Sequence, residues 1–372
     1  MQDPSFEWTR FLQRQPEALD PSIIQPLLAG KRVLITGAGG YIGSVLARRL
    51  TTIPVEFLVL LDVAEQGLFE LRRQLDEEGC ATPRGSVVGD VCDVLLLREI
   101  FSEYQPQIVF HAAASKHVSL MEDNPLTAVR NNVIGTRRLL EAANHANADQ
   151  VIVISTDKAA DPKSIMGATK RVAELLVLAN RGPAHIKAVR LANVLGSTGS
   201  VGPIFLRQIA RGGPLTLTDL ACTRYFLSID EVVHRLLLAL AVDGSSEVLI
   251  AGGGNPFAIV DLANFLIENQ SLAVGDIEIL HTGLRPGEKL SECMVASNEY
   301  ASYSALSLLC KASPKHPIQG EALQALIQQI EDAVNIRDLK GALDGIVKLI
   351  PAYRPSSRLQ QQIEKETVET TA

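Results

Sequence analysis

The sequence predicts a doubly wound α/β fold, in which helices cover both faces of a parallel β-sheet. Short runs rich in β-branched residues alternate with longer segments of helical periodicity between residues 31 and 190. A glycine cluster separates the first strand from the first helix, and beyond residue 195 the pattern gives way to Gly- and Pro-rich segments. Strands that alternate with helices imply right-handed crossovers and a parallel sheet. The less regular remainder predicts a smaller C-terminal lobe whose loops close over a cleft.

The individual elements follow from the spacing of apolar residues. Strands are predicted at 32–36, 57–61, 86–88, 108–110, 151–154 and 187–191. Helices are predicted at 42–50, 65–78, 94–103, 125–146 and 164–179.

Changes in composition divide the chain into four parts. A Pro-punctuated N-terminal helical extension (1–29) precedes the doubly wound domain (30–195). The C-terminal lobe and its helices (196–354) follow, and a polar tail (355–372) is expected to fray.

Composition excludes several classes of protein. Of 372 residues, 47% are hydrophobic and 21% are charged, which is incompatible with intrinsic disorder. The net charge is −7 and no basic run occurs, so a nucleic-acid partner is not expected. The start has acidic residues and no apolar core, and stretches such as 236–242 are far short of the roughly 18 residues that span a bilayer. We therefore expect a soluble cytoplasmic protein without a membrane anchor.

The five cysteines indicate neither a disulfide nor a metal site. They are odd in number and widely scattered, and no pair has the spacing of metal ligands. We interpret them as reduced thiols.

The glycine cluster has the pattern of a dinucleotide-binding loop. In the run Thr36-Gly-Ala-Gly-Gly-Tyr-Ile-Gly43, Gly37, Gly40 and Gly43 are spaced GxxGxxG between a strand and a helix. The first glycine permits the tight turn, the second lets the backbone approach a pyrophosphate, and the third allows close helix–strand packing. Because the context is strand–loop–helix, the loop predicts dinucleotide binding rather than an ordinary turn.

Two carboxylates extend this prediction. Asp62 ends the second predicted strand, where a carboxylate accepts hydrogen bonds from the adenosine ribose. It would repel a 2′-phosphate, and no Arg or Lys follows it before Arg72, so NAD is favoured over NADP. Asp90 is placed to meet the adenine edge, or alternatively supplies negative charge at the N-terminus of the next helix.

A polar segment after a buried strand is the candidate catalytic site. The run from Ser155 to Lys170 emerges at the carboxyl end of the strand at 151–154, which is the ligand-binding edge of an open α/β sheet. Lys170 lies one helical turn after Met166, where short-chain dehydrogenase/reductases carry a Tyr-x-x-x-Lys pair. An exposed ion pair between Asp157 and Lys158 is the structural alternative.

At these residues the sequence resembles a known family. It is similar to the extended short-chain dehydrogenase/reductases, which have a Rossmann fold, and within them to the UDP-N-acetylhexosamine 4,6-dehydratases of bacterial surface-glycan (polysaccharide) biosynthesis. The resemblance runs from about residue 30 to about residue 355. The matching motifs are the glycine loop, His111-Ala-Ala-Ala-Ser-Lys-His117, Asn131-Asn-Val-Ile-Gly-Thr136, Ser155-Thr-Asp-Lys-Ala159, Asn193-Val-Leu-Gly-Ser197, Thr223-Arg-Tyr-Phe226 and Leu284-Arg-Pro-Gly-Glu-Lys-Leu290.

The resemblance implies a lyase reaction with internal redox chemistry. NAD takes hydride from sugar C4, water then leaves from C5 and C6, and the hydride returns to C6. By carry-over, Lys158 is the base at C5 and Asp157 is the acid that protonates the departing C6 hydroxyl. Thr156 is placed near the C4 oxygen, and Lys170 holds the nicotinamide ribose.

Further binding residues are carried over in the same way. The expected cofactor-binding set is Gly37, Gly39, Gly40, Tyr41, Ile42, Gly43, Asp62, Asp90, Val91, Ala112, Ala113, Ala114, Asn132 and Lys170. The expected substrate-binding set is Lys116, His117, Asn193, Arg224, Arg285 and Glu288, in which the arginines suit a diphosphate. Exposed loop positions are the alternative for Lys116 and His117, and His111 is interpreted as structural.

Met166 departs from the usual pattern, because the tyrosine that would take the O4 proton is absent. Thr156 acting through water, or Asp157 acting twice, would then serve as the first base. An NAD-dependent UDP-sugar epimerase and a catalytically inactive NAD-binding scaffold remain the alternative functions. The resemblance also implies a homo-oligomer, with 125–146 and 164–179 as the candidate interface helices.

Overall fold

A computed structural model describes residues 8–17, 20–252, 254–270, 272–304, 306, 308–316 and 320–371. The side chains of residues 367–371 are outside this description. Parts of the predicted N-terminal extension (1–7 and 18–19) and the last residue of the predicted tail also lie outside the described residues.

The described residues form fifteen strands. They are β1 (Arg32–Thr36), β2 (Phe57–Asp62), β3 (Arg84–Val88), β4 (Ile108–His111), β5 (Gln150–Thr156), β6 (His185–Leu191), β7 (Asn193–Val194), β8 (Leu215–Leu217), β9 (Thr223–Arg224), β10 (Phe226–Leu227), β11 (Glu247–Ala251), β12 (Phe257–Ala258), β13 (Ile279–His281), β14 (Glu299–Tyr303) and β15 (Leu309–Pro314).

Fifteen α-helices accompany them. They are α1 (Trp8–Leu12), α2 (Pro21–Leu28), α3 (Tyr41–Leu50), α4 (Glu65–Glu77), α5 (Val94–Tyr104), α6 (Val118–Asp123), α7 (Pro125–Val129), α8 (Thr136–His145), α9 (Ile165–Leu178), α10 (Val201–Ile209), α11 (Ile229–Leu238), α12 (Ile259–Asn269), α13 (Gly320–Asn335), α14 (Leu339–Leu349) and α15 (Ser357–Thr371).

The main sheet confirms the predicted doubly wound class. Within the described residues it has nine strands in the order β14-β15-β11-β6-β5-β4-β1-β2-β3. The pairs from β3 to β11 are parallel, whereas β15 and β14 add antiparallel strands at one edge. The strand order reverses between β1 and β4, which is where doubly wound sheets bind ligands. The three strands β11, β14 and β15 come from beyond residue 195, so the C-terminal half of the chain completes this sheet.

Helices cover the sheet on both faces, because successive residues of its strands point to opposite sides. In β1, Leu34 packs into one apolar cluster, while Val33 and Ile35 pack into another. All three side chains are fully buried. A third cluster, which includes Phe11, Phe205 and Phe226, forms the interior of the smaller lobe. The catalytic candidates therefore emerge from a sheet that is packed from both sides.

Two segments differ from their predicted form. The helix predicted at 125–146 is divided, because residues 130–135 between α7 and α8 adopt a π-helical turn. There the hydroxyl of Thr136 donates to the carbonyl oxygen of Asn132 at 2.7 Å, and such side-chain bonding competes with the α-helical pattern. The polar C-terminal stretch expected to fray is the helix α15, where Leu359 is buried and Gln362 Nε2 donates to the carbonyl of Glu122.

No helix among the described residues combines the length and the apolar character that crossing a membrane requires.

Candidate functional site

The glycine loop joins β1 to α3 at the point where the strand order reverses. Gly37 has φ +69°, and a Cβ there would lie 2.5 Å from the backbone nitrogen of Ala113. A Cβ on Gly43 would collide with the carbonyl oxygen of Gly37. Gly40 is the N-cap of α3 and has no side chain to occupy the first-turn N–H groups. These N–H groups are suited to a phosphate, so the loop has the form that a pyrophosphate needs.

Asp62 braces this loop from the end of β2. Its Oδ2 accepts a hydrogen bond from the backbone nitrogen of Gly39, and its Oδ1 accepts one from that of Ala64, each at 2.9 Å. Its side chain does not line the cleft that lies between the sheet and the smaller lobe. Asp62 therefore holds the loop in the conformation expected for dinucleotide binding, next to the position predicted for the ribose.

Asp90 lies at the end of β3 and is paired with Arg130. Its Oδ2 accepts from Arg130 Nη1 at 2.6 Å, and its Oδ1 accepts from the backbone of Cys92. Burial raises the pKa of Asp90, but its hydrogen bonds and the charge of Arg130 outweigh this effect and lower the pKa below its ordinary value. The N-cap of α5 is Asp93, whose carboxylate accepts from Leu95 and Leu96. Asp90 therefore does not cap that helix.

The segment after β4 is held by buried polar groups. His111 contacts the hydroxyls of Thr36 and Thr136 at 2.7 and 3.0 Å, and burial, with a smaller effect of Lys170, lowers its pKa to about 3. The side chain of Asn132 is fully buried; it accepts from Ser115 N and donates to the carbonyl of Ser115 and the hydroxyl of Thr169. Asn132 thus holds the backbone at Ser115, which follows the three alanines at 112–114. Its side chain does not line the cleft.

The turn after β5 brings together three polar side chains. Thr156 Oγ1 and Lys158 Nζ each donate to Asp157 Oδ1 at 2.9 Å, and Lys158 Nζ also donates to Asn193 Oδ1 at 2.7 Å. The side chain of Lys158 is 19% exposed, whereas Asp157 is fully buried. Asp157 Oδ2 is buried with no hydrogen-bond partner among the described residues, which is a costly state for a carboxylate.

Helix α9 faces this turn with Met166 and Lys170. Met166 is 3% exposed, and Lys170 Nζ donates to the carbonyl of Ile154 at 2.8 Å. Burial lowers the pKa of Lys170 to about 8, although the nearby Glu174 opposes that shift. The predicted Met/Lys pair therefore occupies the position expected for a catalytic Tyr/Lys pair.

No tyrosine of the described residues takes the place of the tyrosine that Met166 replaces. Tyr41 is the one tyrosine among the described residues that lines the cleft. Its hydroxyl donates to the carbonyl of Leu195 at 3.2 Å, and burial raises its pKa above the ordinary value. This hydroxyl is therefore bonded to the backbone of Leu195 and not to the turn at 156–158.

The candidate substrate residues lie along the same opening. Arg224 donates from Nη1 to the carbonyls of Thr223 and Leu290 and from Nη2 to that of Lys289, at 2.7–2.9 Å. The backbone nitrogen of Arg285 donates to Glu288 Oε2 at 3.1 Å. Arg224 therefore supports the loop that carries the second arginine.

Lys116 and His117 lie at the start of α6. Burial lowers the pKa of both side chains, and the charge of Lys116 lowers that of His117 further. Both side chains line the cleft rather than standing apart from it.

These groups surround one cleft of about 700 Å³ between the sheet and the smaller lobe. The predicted residues that line it are Gly37, Gly40, Tyr41, Ile42, Gly43, Ala112, Ala114, Lys116, His117, Thr156, Lys158, Met166, Lys170, Asn193, Arg224, Arg285 and Glu288. The predicted residues that do not line it are Gly39, Asp62, Asp90, Val91, Ala113, Asn132 and Asp157.

Residues 33–313 match the family described as polysaccharide biosynthesis protein. The chain belongs to this family. The capsular polysaccharide biosynthesis protein CapD of Staphylococcus aureus is 38% identical over 87% of this chain and 54% of its own length. The chain thus spans about half the length of the first curated relatives it matches.

Shorter relatives include two kinds of nucleotide-sugar enzyme. The UDP-N-acetylglucosamine 4,6-dehydratase (inverting) of Campylobacter jejuni is 31% identical over 75% of this chain and 83% of its own length. UDP-glucose 4-epimerases of Rickettsia species match at a similar identity. Among solved structures, Pen from Bacillus thuringiensis has a TM-score of 0.71 and 28% identity, over 77% of this chain and 88% of that one.

In this member of the polysaccharide biosynthesis family, Glu292 lines the candidate site and was not predicted from the sequence. It is 9% exposed and lines the cleft, with Oε1 4.0 Å from Lys158 Nζ and Oε2 3.1 Å from Lys289 Nζ. Lys289 in turn donates to the carbonyl of Ala160 at 2.9 Å. Glu292 follows shortly after the Arg-Pro-Gly-Glu-Lys motif, and that position was the available signal.

A buried charge cluster, formed by Arg171, Glu174, Arg190 and Glu299, lies next to the turn at 156–158. Arg190 Nη2 and Nη1 bind Glu174 and Glu299 at 2.6 and 2.9 Å, and Arg171 bridges the same two carboxylates. Ser155 donates to Glu174 at 2.7 Å, directly before the turn. In this family member the cluster joins α9, β5, β6 and β14.

Proposed function

We propose that the chain is an NAD-dependent 4,6-dehydratase that converts a UDP-N-acetylhexosamine, with UDP-N-acetylglucosamine as the preferred candidate, to a 4-keto-6-deoxy sugar for surface-glycan biosynthesis. One observation carries the proposal. The Thr156 hydroxyl and the Lys158 amino group line the cleft, and both donate to one buried carboxylate, Asp157. Elimination across two adjacent carbons needs an acid and a base together, and this turn supplies them.

The fit of the site to NAD rests on the glycine loop. A side chain at Gly37 or Gly43 would fill the turn, and the N-terminus of α3 is open. The loop and α3 would hold the pyrophosphate, Asp62 the adenosine ribose and Lys170 the nicotinamide ribose. When bound, NAD supplies the hydride acceptor and donor chemistry.

For the first proton transfer, the geometry favours Thr156 together with Asp157. The Thr156 hydroxyl lines the cleft and donates to Asp157 Oδ1, so a proton taken from the sugar O4 passes through Thr156 to the carboxylate. Met166 has no ionisable group and provides only an apolar wall. This assignment leaves Asp157 protonated after C4 is oxidised.

The elimination then uses both members of the pair. The ketone at C4 acidifies the C5 proton, and neutral Lys158 removes it. Protonated Asp157 passes its proton back through the Thr156 hydroxyl to the departing C6 hydroxyl, which leaves as water. Lys158 returns its proton to C5 as C6 is reduced, so Asp157 and Lys158 end in their starting protonation states. Asn193 orients Lys158 through the 2.7 Å hydrogen bond.

The smaller lobe supplies the nucleotide side of the cleft. Arg285 lines the opening and is suited to the diphosphate, and Arg224 supports its loop through three carbonyl groups. A doubly negative ligand needs local cations in a chain whose net charge is −7. Glu288 is proposed to accept hydrogen bonds from the uridine ribose.

A UDP-sugar 4-epimerase is the second candidate, because relatives at similar identity carry that description. An epimerase returns the hydride to C4 and needs no acid at C6. The retained Asp157 and Lys158 pair therefore favours the dehydratase. An inactive NAD-binding scaffold is the third candidate, since Met166 stands where a catalytic tyrosine is usual.

Proton NMR separates these candidates. UDP-N-acetylglucosamine is incubated with the purified protein and NAD in D₂O. We expect a new C6 methyl signal with deuterium at C5, and the C5 coupling pattern reports inversion or retention. A changed C4 configuration with an intact C6 indicates the epimerase. NAD binding without change in any sugar of a UDP- and dTDP-sugar panel contradicts the proposal and supports the scaffold.

A further inference from the structure

The segment 196–202, here called the rim loop, borders the cleft on the side of the smaller lobe. Five of its residues line the opening: Ser197, Thr198, Gly199, Ser200 and Val201. The segment follows β7, which carries Asn193, and ends in the first two residues of α10. Its position therefore sets one wall of the proposed substrate site.

The rim loop contacts residues of the predicted doubly wound domain (30–195). Tyr41, at the start of α3, donates at 3.2 Å to the carbonyl of Leu195, directly before the rim loop, and its hydroxyl oxygen would lie 3.1 Å from a Cβ built on Gly196. A Cβ on Gly199 would collide with the ring of His117. These contacts join the rim loop to β1–α3 and to α6.

The indole ring of Trp8, which does not line the cleft, packs against the rim loop. A Cβ built on Gly196 would lie 2.7 Å from Trp8 Nε1, and one on Gly202 would lie 2.6 Å from Trp8 Cη2. The ring thus packs directly against the backbone at both ends of the loop, and neither position has room for a methyl group. Trp8 and Tyr41 thus meet at Gly196, Trp8 also packs against Gly202, and His117 packs against Gly199.

Trp8 is itself anchored through α1 and the residues that follow it. The ring of Phe11 lies 4.9, 5.3 and 6.0 Å from those of Phe257, Phe265 and Phe226. Arg14 Nε binds Glu231 at 2.8 Å, and its Nη2 donates to the carbonyl of Phe226 at 2.7 Å. The segment 8–14 is therefore attached to the smaller lobe and holds Trp8 against the rim loop.

We propose that Trp8 is a positioning residue of the substrate site: it holds the rim loop in the conformation that closes the nucleotide-sugar side of the cleft. The identity of the ligand rests on the proposed function, whereas the effect on the loop does not. Loss of the indole removes the contacts at Gly196 and Gly202, whereas the turn at 156–158 is unchanged.

Hydrogen exchange of the ligand-free protein tests the effect on the loop. We expect Trp8→Ala to raise amide exchange in the rim loop by about tenfold, with β1–β6 unchanged. Trp8→Phe is the control, because it keeps an aromatic ring and the attachment of α1.

Gly202→Ala should perturb the loop in the wild-type chain through its clash with the indole. The same change should have no added effect in Trp8→Ala. Rim-loop exchange that is unchanged in both Trp8→Ala and Gly202→Ala overturns the proposal.

Kinetics tests the positioning role. For Trp8→Ala we expect the KM for UDP-N-acetylglucosamine to rise about tenfold with kcat within about threefold, and for Trp8→Phe nearly wild-type values. A fall in kcat with unchanged KM, or no change in either despite a looser loop, overturns the proposal.

If no nucleotide sugar is turned over by any form, the proposed function fails. The exchange data and the UDP dissociation constants of the two variants then decide the role of Trp8: a Kd about tenfold weaker only in Trp8→Ala supports it, and equal values overturn it.

Discussion

The Nζ atom of Lys158 lies 2.7 Å from Oδ1 of Asn193, which ties the turn after β5 to the short strand β7. Asn193 can only accept at this oxygen, so it holds the lysine without changing its charge. A base that acts at a sugar carbon needs this kind of orientation. The relationship also places the proposed base at the point where the sheet and the smaller lobe meet.

Replacing Lys158 tests its role as the base. We expect Lys158→Met to lower turnover of UDP-N-acetylglucosamine by about 10²–10⁴-fold, because no other group removes the C5 proton. Lys163→Met, a change at an exposed lysine of the same segment, should leave turnover unchanged. NMR detection of the C6 methyl product measures both variants. Equal turnover in the two variants would contradict the role given to Lys158.

A second pair of variants identifies the group that takes the O4 proton. Thr156→Val removes the hydroxyl that donates to Asp157, and we expect turnover to fall about a hundredfold. Met166→Leu conserves an apolar side chain of similar volume, and we expect less than a threefold change. Single-turnover oxidation of the sugar, followed by absorbance of reduced nicotinamide, isolates this step. A larger loss of turnover in Met166→Leu than in Thr156→Val would contradict the assignment of this proton transfer to Thr156.

The charge of Lys170 predicts a pH dependence of cofactor affinity. Burial lowers its pKa from the ordinary 10.5 to about 8, so the ammonium form is present below pH 8 and is lost above it. We expect NAD binding, measured by calorimetry from pH 6.5 to pH 9.5, to weaken as pH rises through about 8. Lys170→Arg keeps its charge throughout and should flatten the profile. A wild-type affinity that does not vary over this range would rule out this role of Lys170.

The buried charge cluster predicts a dependence of stability on acid. Burial would raise the pKa of Glu299, but the hydrogen bonds and charge of Arg190 outweigh it and lower the pKa from the ordinary 4.5 to about 2. The cluster therefore contributes stability that is complete above pH 4.5 and is lost as pH falls from 4.5 towards 2. Urea unfolding across this range measures it.

We expect Glu299→Gln to remove much of this pH dependence and to lower the free energy of unfolding at pH 7 by about 3–5 kcal/mol, since Arg190 loses a buried partner. Glu321→Gln, at an exposed glutamate, is the control and should behave as wild type. Equal stability of the two variants at pH 7 would show that the cluster contributes little.

Much of the doubly wound domain was predictable because its strands are short β-branched runs that alternate with helices. β1 was predicted at its observed bounds, and β2 and β4 differ from prediction by one residue. The strands β11, β14 and β15 were not predicted. β15, with the sequence Leu-Cys-Lys-Ala-Ser-Pro, has no β-branched residue, and its place in the sheet depends on pairing with a distant strand.

The candidate site divides in the same way. The glycine loop and residues 156–158 were identified because each is a contiguous run with its own chemistry. Glu292 was missed because its closeness to Lys158 arises from two distant segments that fold together. The burial of Asp157 and the use of Asn132 as a brace also depend on surrounding contacts that no local pattern records.

The place of β6 in the sheet has a consequence for synthesis on the ribosome. β6 pairs with β5, which precedes it, and with β11, which is made only after α10 and α11. A growing chain therefore exposes the unpaired backbone of β6 until residues 247–251 have emerged, and open strand edges recruit other strands. We expect a chain terminated near residue 195 to aggregate rather than fold, so the predicted doubly wound domain (30–195) depends on the C-terminal half of the chain for its folding.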